Sequence, residues 1–300
     1  MIYATAIYEG KEQIFSVDGA GCRVFPLTRF FEEVLGLEQG PASMQDLIAG
    51  YDPDWTDQIA FFFGSHPELA LTLHDVRLIA PIPSPKRNVV CLGKNYAEHA
   101  RELAGQLFSE TLPTHPIYFT KPEHCITGQD SPVLLHAGVT RRLDYEAELA
   151  VVIGKEGINI SKENAEDYIF GYTIGNDVSA RDLQKFHSQW FKGKSLSTHC
   201  PIGPWIVHKS QLPLPLELPI RSYVNNVLRQ EANTRDMIFD IPTIISDLSK
   251  GYPLKPGDII LTGTPAGVGM AMDPPQYLKD GDVMLCEIEK IGFLVNTITG

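Results

Sequence analysis

Residues 143–154 (LDYEAELAVVIG) form an apolar run that carries two glutamates two positions apart, Glu146 and Glu148. The length of the run and its Leu, Ala, Val and Ile content predict a buried strand. Side chains alternate across a strand, so both carboxylates are expected on one face. Burying an unpaired carboxylate costs several kcal/mol. The run therefore predicts a buried sheet in which the two glutamates are solvated, protonated or bound to a cation.

Asp177 could supply a third oxygen ligand. It lies in residues 175–184 (GNDVSARDLQ), where a strand is predicted to end and a helix to begin. Three carboxylates with open coordination positions suit Mg²⁺ or Mn²⁺ rather than zinc. Alternatively, Glu146 and Glu148 form a solvated face and Asp177 caps a helix. The spacing alone leaves both interpretations open.

A proline-rich segment, residues 80–85 (APIPSP), divides the chain because it blocks both helix and central strand. Upstream, two patterned stretches predict a hairpin, followed by amphipathic helical patterns. Downstream, many short apolar runs are bounded by Gly, Pro and Asp. A short helical pattern covers residues 161–170, and Asn225-Asn226 predicts a two-residue hairpin turn. We predict a β-rich α+β protein with a small N-terminal α+β domain (residues 1–80) and a larger strand-dominated domain (residues 81–300).

Composition excludes several classes of protein. The net charge of −12 argues against nucleic acid and anionic membrane surfaces as partners. No apolar run approaches the roughly 20 residues that would span a bilayer. Residues 1–10 have no basic region followed by a hydrophobic stretch, and the five cysteines form no CxxC pair. We therefore expect a cytoplasmic protein with reduced thiols.

Several segments together resemble the fumarylacetoacetate hydrolase family in order and spacing, over about residues 81–300. They are residues 95–102 (NYAEHARE), 144–150 (DYEAELA), 176–184 (NDVSARDLQ), 193–195 (GKS) before 200–204 (CPIGP), and 257–269 (GDIILTGTPAGVG). The resemblance implies the mixed β-roll fold of that family and a homodimer. It also implies a metal-dependent catalytic domain over residues 81–300.

The resemblance assigns roles residue by residue. The implied metal ligands for Mg²⁺ or Mn²⁺ are Glu146, Glu148 and Asp177; the implied substrate-binding residues are Lys121, Arg181, Gln184 and Thr264; the implied catalytic residues are His99, Glu102 and Lys194. The glycines of residues 263–269 could alternatively form only a tight turn. Lys121 and Lys194 could alternatively be ordinary surface charges.

His99 and Glu102 lie three residues apart in a helical pattern, so they are neighbours on one helix face. A carboxylate that orients an imidazole is the arrangement a general base needs. The position of this pair within residues 95–102 resembles the catalytic dyad of the family, which sits on a mobile lid. One departure concerns Lys194: many bacterial relatives have GKSxDT, whereas Ser197 here replaces the acid that would position the lysine.

The predicted function is divalent-metal-dependent cleavage of the C3–C4 bond of a 2-oxo acid through a metal-stabilised pyruvate enolate. We first expect decarboxylation of oxaloacetate to pyruvate and CO₂. Hydrolysis of acylpyruvates such as acetylpyruvate or fumarylpyruvate, with His99 activating water, is an alternative, as is an isomerase or decarboxylase of aromatic catabolism. The expected ligand is a small 2-oxo mono- or dicarboxylate. A scaffold or binding protein with a purely structural metal is the alternative from another class.

Overall fold

The computed structural model describes residues 1–104 and 112–300. It confirms the predicted strand-rich α+β class. The strands are β1 (Ile2–Tyr8), β2 (Lys11–Val17), β3 (Arg23–Pro26), β4 (Leu71–Thr72), β5 (Arg77–Leu78), β6 (Val89–Gly93), β7 (Ile117–Lys121), β8 (Ile126–Thr127), β9 (Val133–Leu134), β10 (Leu143–Asp144), β11 (Ala147–Ile153), β12 (Ile169–Asn176), β13 (Ser179–Ala180), β14 (Cys200–His208), β15 (Pro219–Val224), β16 (Val227–Asn233), β17 (Ile259–Leu261), β18 (Val283–Ile288) and β19 (Gly292–Thr299). The α-helices are α1 (Leu27–Glu33), α2 (Met44–Ala49), α3 (Trp55–Ser65), α4 (Ala97–Glu102), α5 (Arg181–Phe186), α6 (Phe191–Lys194) and α7 (Ile241–Leu248).

A large mixed sheet organises the molecule, in the order β4-β3-β2-β1-β14-β12-β11-β17-β6-β7. A second sheet has the order β16-β15-β18-β19-β9, and β10 pairs with β13. Strand β1 pairs with β14 through Ile2 and Val207, so strands from both sides of the proline-rich segment share one sheet. The division of the chain into domains at residue 80 stays a prediction.

Strand β11 lies in the middle of the large sheet, and both of its faces are buried. Leu149 and Val151 pack into one hydrophobic cluster, whereas Ala150 and Val152 pack into another. By the alternation of a strand, Glu148 shares the face of Ala150 and Val152. The glutamate is therefore at the edge of a dry core and not on a solvated face.

The structure corrects the prediction of one uninterrupted strand over residues 143–154: the strand is broken at Tyr145 and Glu146, between β10 and β11. The side-chain oxygen of Asn176 accepts the N–H of Glu146 (2.9 Å) in place of a backbone partner. The next N–H, that of Asp177, donates to the carbonyl of Glu146 (2.9 Å). The interruption thus places Glu146 directly beside Asp177.

Other local predictions are confirmed or corrected by the same hydrogen-bond logic. Asn225 and Asn226 form the predicted hairpin turn between β15 and β16, and both have the positive φ that such a turn requires. The helical pattern predicted over residues 161–170 is instead a 3₁₀ helix, Lys162–Tyr168, and the residues that follow enter β12. Among residues 1–104 and 112–300, no helix is both long and apolar enough to cross a membrane.

Candidate metal centre and active site

Three buried carboxylates meet where β11 begins and β12 ends. These strands are antiparallel, with Ala147 opposite Asn176, so Asp177 emerges beside Glu146 and Glu148. One carboxylate oxygen from each of the three residues lies within 4.8 Å of the others. The convergence that alternation predicted for the glutamates therefore includes the aspartate from the next strand.

Buried cations surround this triad. Lys194 Nζ lies 2.6 Å from both Glu146 Oε2 and Asp177 Oδ2. Lys121 Nζ lies 2.5 Å from Asp177 Oδ1, and Arg181 Nη1 lies 2.7 Å from Glu146 Oε1. Lys194 is thus held by two members of the triad, so the replacement of an acid by serine at position 197 does not leave it without anchoring partners.

The electrostatic environment separates the two glutamates. Burial would raise the pKa of Glu146, but the charges of Arg181 and Lys194 outweigh it and hold that pKa below its usual range. Burial, followed by the neighbouring charges of Asp177 and Glu146, raises the pKa of Glu148 well above its usual value. Glu148 is therefore the member of the triad that most needs additional positive charge when it is ionised.

The donor set fits a hard divalent cation. Three carboxylates offer oxygen ligands only, which suits Mg²⁺ or Mn²⁺. The Lys194 ammonium already takes a cation's position between Glu146 and Asp177. Glu148, Glu146 and Asp177 are thus the residues that could hold such an ion, and Lys194 would share or yield that position.

Arg181 is a large buried side chain with one donor still available. Its Nε donates to Asp144 (2.9 Å) and its Nη1 to Gln184 (3.1 Å). Nη2 is buried and has no hydrogen-bond partner among the described residues. Asp144, which we did not assign a role from sequence, also accepts the N–H groups of Gly269 (2.8 Å) and Met270 (3.0 Å). Its position at the start of the DYEAELA motif was the only signal for it.

The His99–Glu102 pair forms as predicted from the helical spacing. His99 Nδ1 and Glu102 Oε1 lie 2.7 Å apart on α4, and the imidazole is buried. The other carboxylate oxygen of Glu102 accepts the N–H of Gly267 (2.9 Å). The dyad is therefore anchored at both ends, and Glu102 fixes the orientation of the ring.

The glycine-rich segment after β17 does more than turn the chain. Gly263 donates its N–H to Glu148 Oε2 (2.6 Å). Its φ is +97°, and its Cα packs so closely on Asn95 that a Cβ would lie 2.7 Å from the Asn95 side chain. Glycine is required there on both counts. Residues 262–269 thus hold Glu148 at one end and Glu102 at the other.

Two predicted substrate-binding residues prove to have extensive protein partners. Lys121 is fully buried and bonds Asp177 and the carbonyl of Val178 (3.1 Å). The hydroxyl of Thr264 donates to the carbonyl of Ala147 (2.9 Å) and accepts from Gln230 Nε2 (2.7 Å). Lys121 therefore bonds Asp177 outside the cavity lining, whereas Thr264 lines the cavity.

A small cavity of about 10 Å³ lies between His99 of the dyad and two members of the triad, Glu146 and Glu148. Its walls are formed by Leu92, Gly93, Lys94, His99, Phe119, Glu146, Glu148, Gln184, Trp190, Lys194 and Thr264. This volume is about that of one water-sized probe. A substrate must therefore displace side chains on entry.

Comparison with known proteins agrees with this geometry. Residues 88–299 match the family model described as the C-terminal domain of fumarylacetoacetate (FAA) hydrolase. The chain belongs to the fumarylacetoacetate hydrolase family, and the resemblance noted from its motifs is confirmed.

Three relatives illustrate the range of the family. The chain is 45% identical over 285 residues to the oxaloacetate tautomerase YisK of Bacillus subtilis, which covers 92% of this chain and 93% of that one. It is similar to the structure of a fumarylacetoacetate hydrolase of Exiguobacterium antarcticum (TM-score 0.83, 39% identity, covering 100% of this chain and 99% of that one). It also resembles maleylpyruvate hydrolase of Sphingobium sp. SYK-6 (TM-score 0.78, 30% identity, covering 100% and 99%). These relatives support an enzyme.

Proposed function

We propose that this protein is a divalent-metal-dependent enzyme that interconverts the keto and enol forms of a 2-oxo dicarboxylate, with oxaloacetate as the best candidate. The observation that carries the proposal is the position of His99, paired with Glu102, in the same cavity as Glu146 and Glu148 of the buried carboxylate triad. Tautomerisation moves a proton from C3 to the ketone oxygen. It therefore needs an acid–base group beside a site that stabilises negative oxygen.

His99 would move the proton. Because Nδ1 bonds Glu102, the assignment that satisfies this contact leaves Nε2 to accept the proton from C3. The electron pair of the C–H bond then forms the C2–C3 double bond, and negative charge develops on the ketone oxygen. Return of the same proton to that oxygen gives the enol, so that atoms and charge balance.

The buried cations would hold the acid oxygens. Arg181 Nη2 is a buried donor that has no partner among the described residues, which is costly unless a ligand accepts from it. Lys194 and Gln184 lie on the same cavity wall. A bound Mg²⁺ or Mn²⁺ would supply Lewis acidity toward the carboxylate and ketone oxygens.

The named activity of the Bacillus subtilis relative, oxaloacetate tautomerase, supports this choice. The decarboxylation expected from sequence is the second candidate, because loss of the C4 carboxylate as CO₂ leaves the same enolate and draws on the same buried cations. That step needs no base. The maleylpyruvate hydrolase relative keeps acylpyruvate hydrolysis open as a third reaction.

The test separates these reactions through His99. Enol absorbance, pyruvate release and, with acetylpyruvate, acid release are measured with Mg²⁺ and with EDTA. We expect His99→Asn to lower tautomerisation by about 10²- to 10⁴-fold, while His124→Asn, an exposed histidine, changes it less than twofold. Tautomerisation no faster than in buffer, or undiminished in His99→Asn, would contradict the proposal. Pyruvate release that survives His99→Asn would identify decarboxylation as a base-independent activity of the same site.

We also propose that the enzyme works in the cytoplasm as a homodimer, on the strength of the family resemblance. Light scattering of the purified protein at several concentrations tests the oligomer. A mass of one chain at all concentrations would refute it.

A further inference from the structure

Lys94 lies in the turn between β6 and α4, and its backbone is held in the left-handed region at φ +58°. Lysine rarely adopts this conformation, which costs on the order of 1 kcal/mol. The side chain is only 8% exposed and forms part of the cavity wall with His99, Glu148 and Thr264. A strained backbone thus directs a lysine into the site.

The neighbours of Lys94 keep it there. Gly93 packs under the Trp190 ring, where a Cβ would lie 2.4 Å from a ring carbon. Asn95 donates to the carbonyl of Thr262 (2.7 Å) and accepts the N–H of Phe239 (2.8 Å). With both flanking residues fixed, the position of Lys94 follows from the packing around it.

The number of buried charges in the protein bears on which ligand Lys94 can bind. Among the described residues, the buried Asp and Glu side chains are Asp144, Glu146, Glu148 and Asp177, and the buried Lys and Arg side chains are Lys94, Lys121, Arg181 and Lys194. These four acids are matched by four bases, so a divalent cation bound at the triad would make the sum of these charges positive. Lys94 supplies one of the positive charges at the cavity wall. A positive charge there favours a substrate with a further carboxylate over one with a methyl group in its place.

Burial also lowers the pKa of Lys94. A carboxylate brought against the ammonium would reverse that effect, because an opposite charge in a desolvated pocket favours the charged form. A bound acid and this lysine would therefore stabilise one another.

We propose that Lys94 binds the distal C4 carboxylate of the substrate and selects 2-oxo dicarboxylates over 2-oxo monocarboxylates. This inference rests on the proposed function for the identity of the C1 and C2 end. Arg181, Lys194 and the carboxylate triad serve that end, and Lys94 distinguishes what is attached to C3.

Two matched ligand pairs test it. Malate and 2-hydroxybutyrate differ by a carboxylate or a methyl group at C4 and undergo no enolisation, so calorimetry on the Mg²⁺-loaded protein measures binding alone. Oxaloacetate and 2-oxobutyrate differ in the same way, and deuterium exchange at C3 measures turnover. Lys94→Met should weaken malate binding by about 10- to 100-fold and reduce the preference for oxaloacetate over 2-oxobutyrate to the same extent. Lys94→Arg should retain most of both preferences.

Lys192→Met is the matched control, since it removes an exposed lysine of α6 that is outside the cavity. Lys94→Gln replaces the Met variant if thermal unfolding shows that the latter does not fold. Equal losses for malate and 2-hydroxybutyrate, or no loss for either, would overturn the role of Lys94. If the wild-type protein exchanges neither oxo acid but loses its malate preference in Lys94→Met, the dicarboxylate site stands and the proposed reaction fails.

Discussion

Replacing Glu148 by glutamine should stabilise the metal-free protein and remove most of the stabilisation that metal gives. The amide can still accept the N–H of Gly263, so the shape of the site is kept. In the metal-free protein the variant removes a carboxylate that lies within 4.8 Å of two others. Two unit charges at that distance would repel by about 3.5 kcal/mol at an effective dielectric constant of about 20. Burial and this repulsion raise the pKa of Glu148, so the carboxyl opposes folding at neutral pH whether it is ionised or has to take up a proton. Because nearby Lys194 offsets part of this, we expect the metal-free variant to be about 1–3 kcal/mol more stable.

Metal offsets this advantage. Mg²⁺ at 100 times its dissociation constant would stabilise the wild-type protein by about 2.7 kcal/mol, whereas the variant lacks one of three ligands. For 300 residues, an unfolding entropy of about 2.1 cal/mol/K per residue converts 1 kcal/mol into about 1.6 °C. Without metal the variant should therefore melt about 2–5 °C higher than the wild-type protein. Saturating Mg²⁺ should raise Tm by about 4 °C in the wild-type protein and by less than about 1 °C in the variant.

Differential scanning calorimetry in EDTA and in MgCl₂ measures both shifts. Glu156→Gln removes an exposed glutamate three residues beyond the end of β11; it is the control and should follow the wild-type protein in both buffers. Equal Mg²⁺ shifts in wild type and Glu148→Gln would show that Glu148 is not a ligand. A metal-free variant that melts below the wild-type protein would refute the repulsion argument.

Two further changes probe the loop and the interior. Gly267→Ala should destabilise the protein by about 1–3 kcal/mol more than Gly281→Ala. Both glycines have positive φ, but only at position 267 would a Cβ meet backbone, 2.1 Å from Arg229 O. Gly267→Ala should also displace Glu102 and lower kcat, and equal urea unfolding midpoints for the two variants would disprove the predicted clash. Burial lowers the pKa of His199 from 6.5 to about 3, so the unfolded chain binds a proton first as pH falls below 6.5 and stability is lost toward acid by up to about 1.4 kcal/mol per pH unit. His199→Gln should flatten the stability curve between pH 6.5 and 4, and parallel curves would count against this assignment.

Strand alternation and strand-end position are local properties, so the spacing offered the carboxylate triad as one of two interpretations, and the family resemblance favoured it. The same is true of the dyad, whose spacing on a short helix brings His99 and Glu102 together. What the sequence could not predict depends on side chains that replace backbone partners. Asn176 accepts the N–H of Glu146 and so breaks a run that composition alone reads as one strand.

Lys121 shows a second limit of sequence reasoning. The sequence around Lys121, residues 119–122 (FTKP), does not indicate whether the lysine side chain faces a ligand or a neighbouring strand. The structure buries it fully, and its ammonium group bonds Asp177 and the carbonyl of Val178. Lys94 is the opposite case: we assigned it no role from sequence, and only its φ and its position in the cavity wall reveal it.

One loop sets the distance between the cation site and the dyad. Gly263 holds Glu148, and four residues later Gly267 holds Glu102. The carbonyl of Thr262, at the start of the same loop, accepts from Asn95, which fixes the turn that carries Lys94. A single stretch of backbone therefore positions the triad, the dyad and the proposed carboxylate-binding lysine. Its glycines are closely packed, so that a Cβ at Gly263 or Gly267 would clash with neighbouring atoms. Since Lys94 makes its contribution through a side chain at the cavity wall, a substitution there could change substrate preference while the loop keeps the acid–base geometry constant.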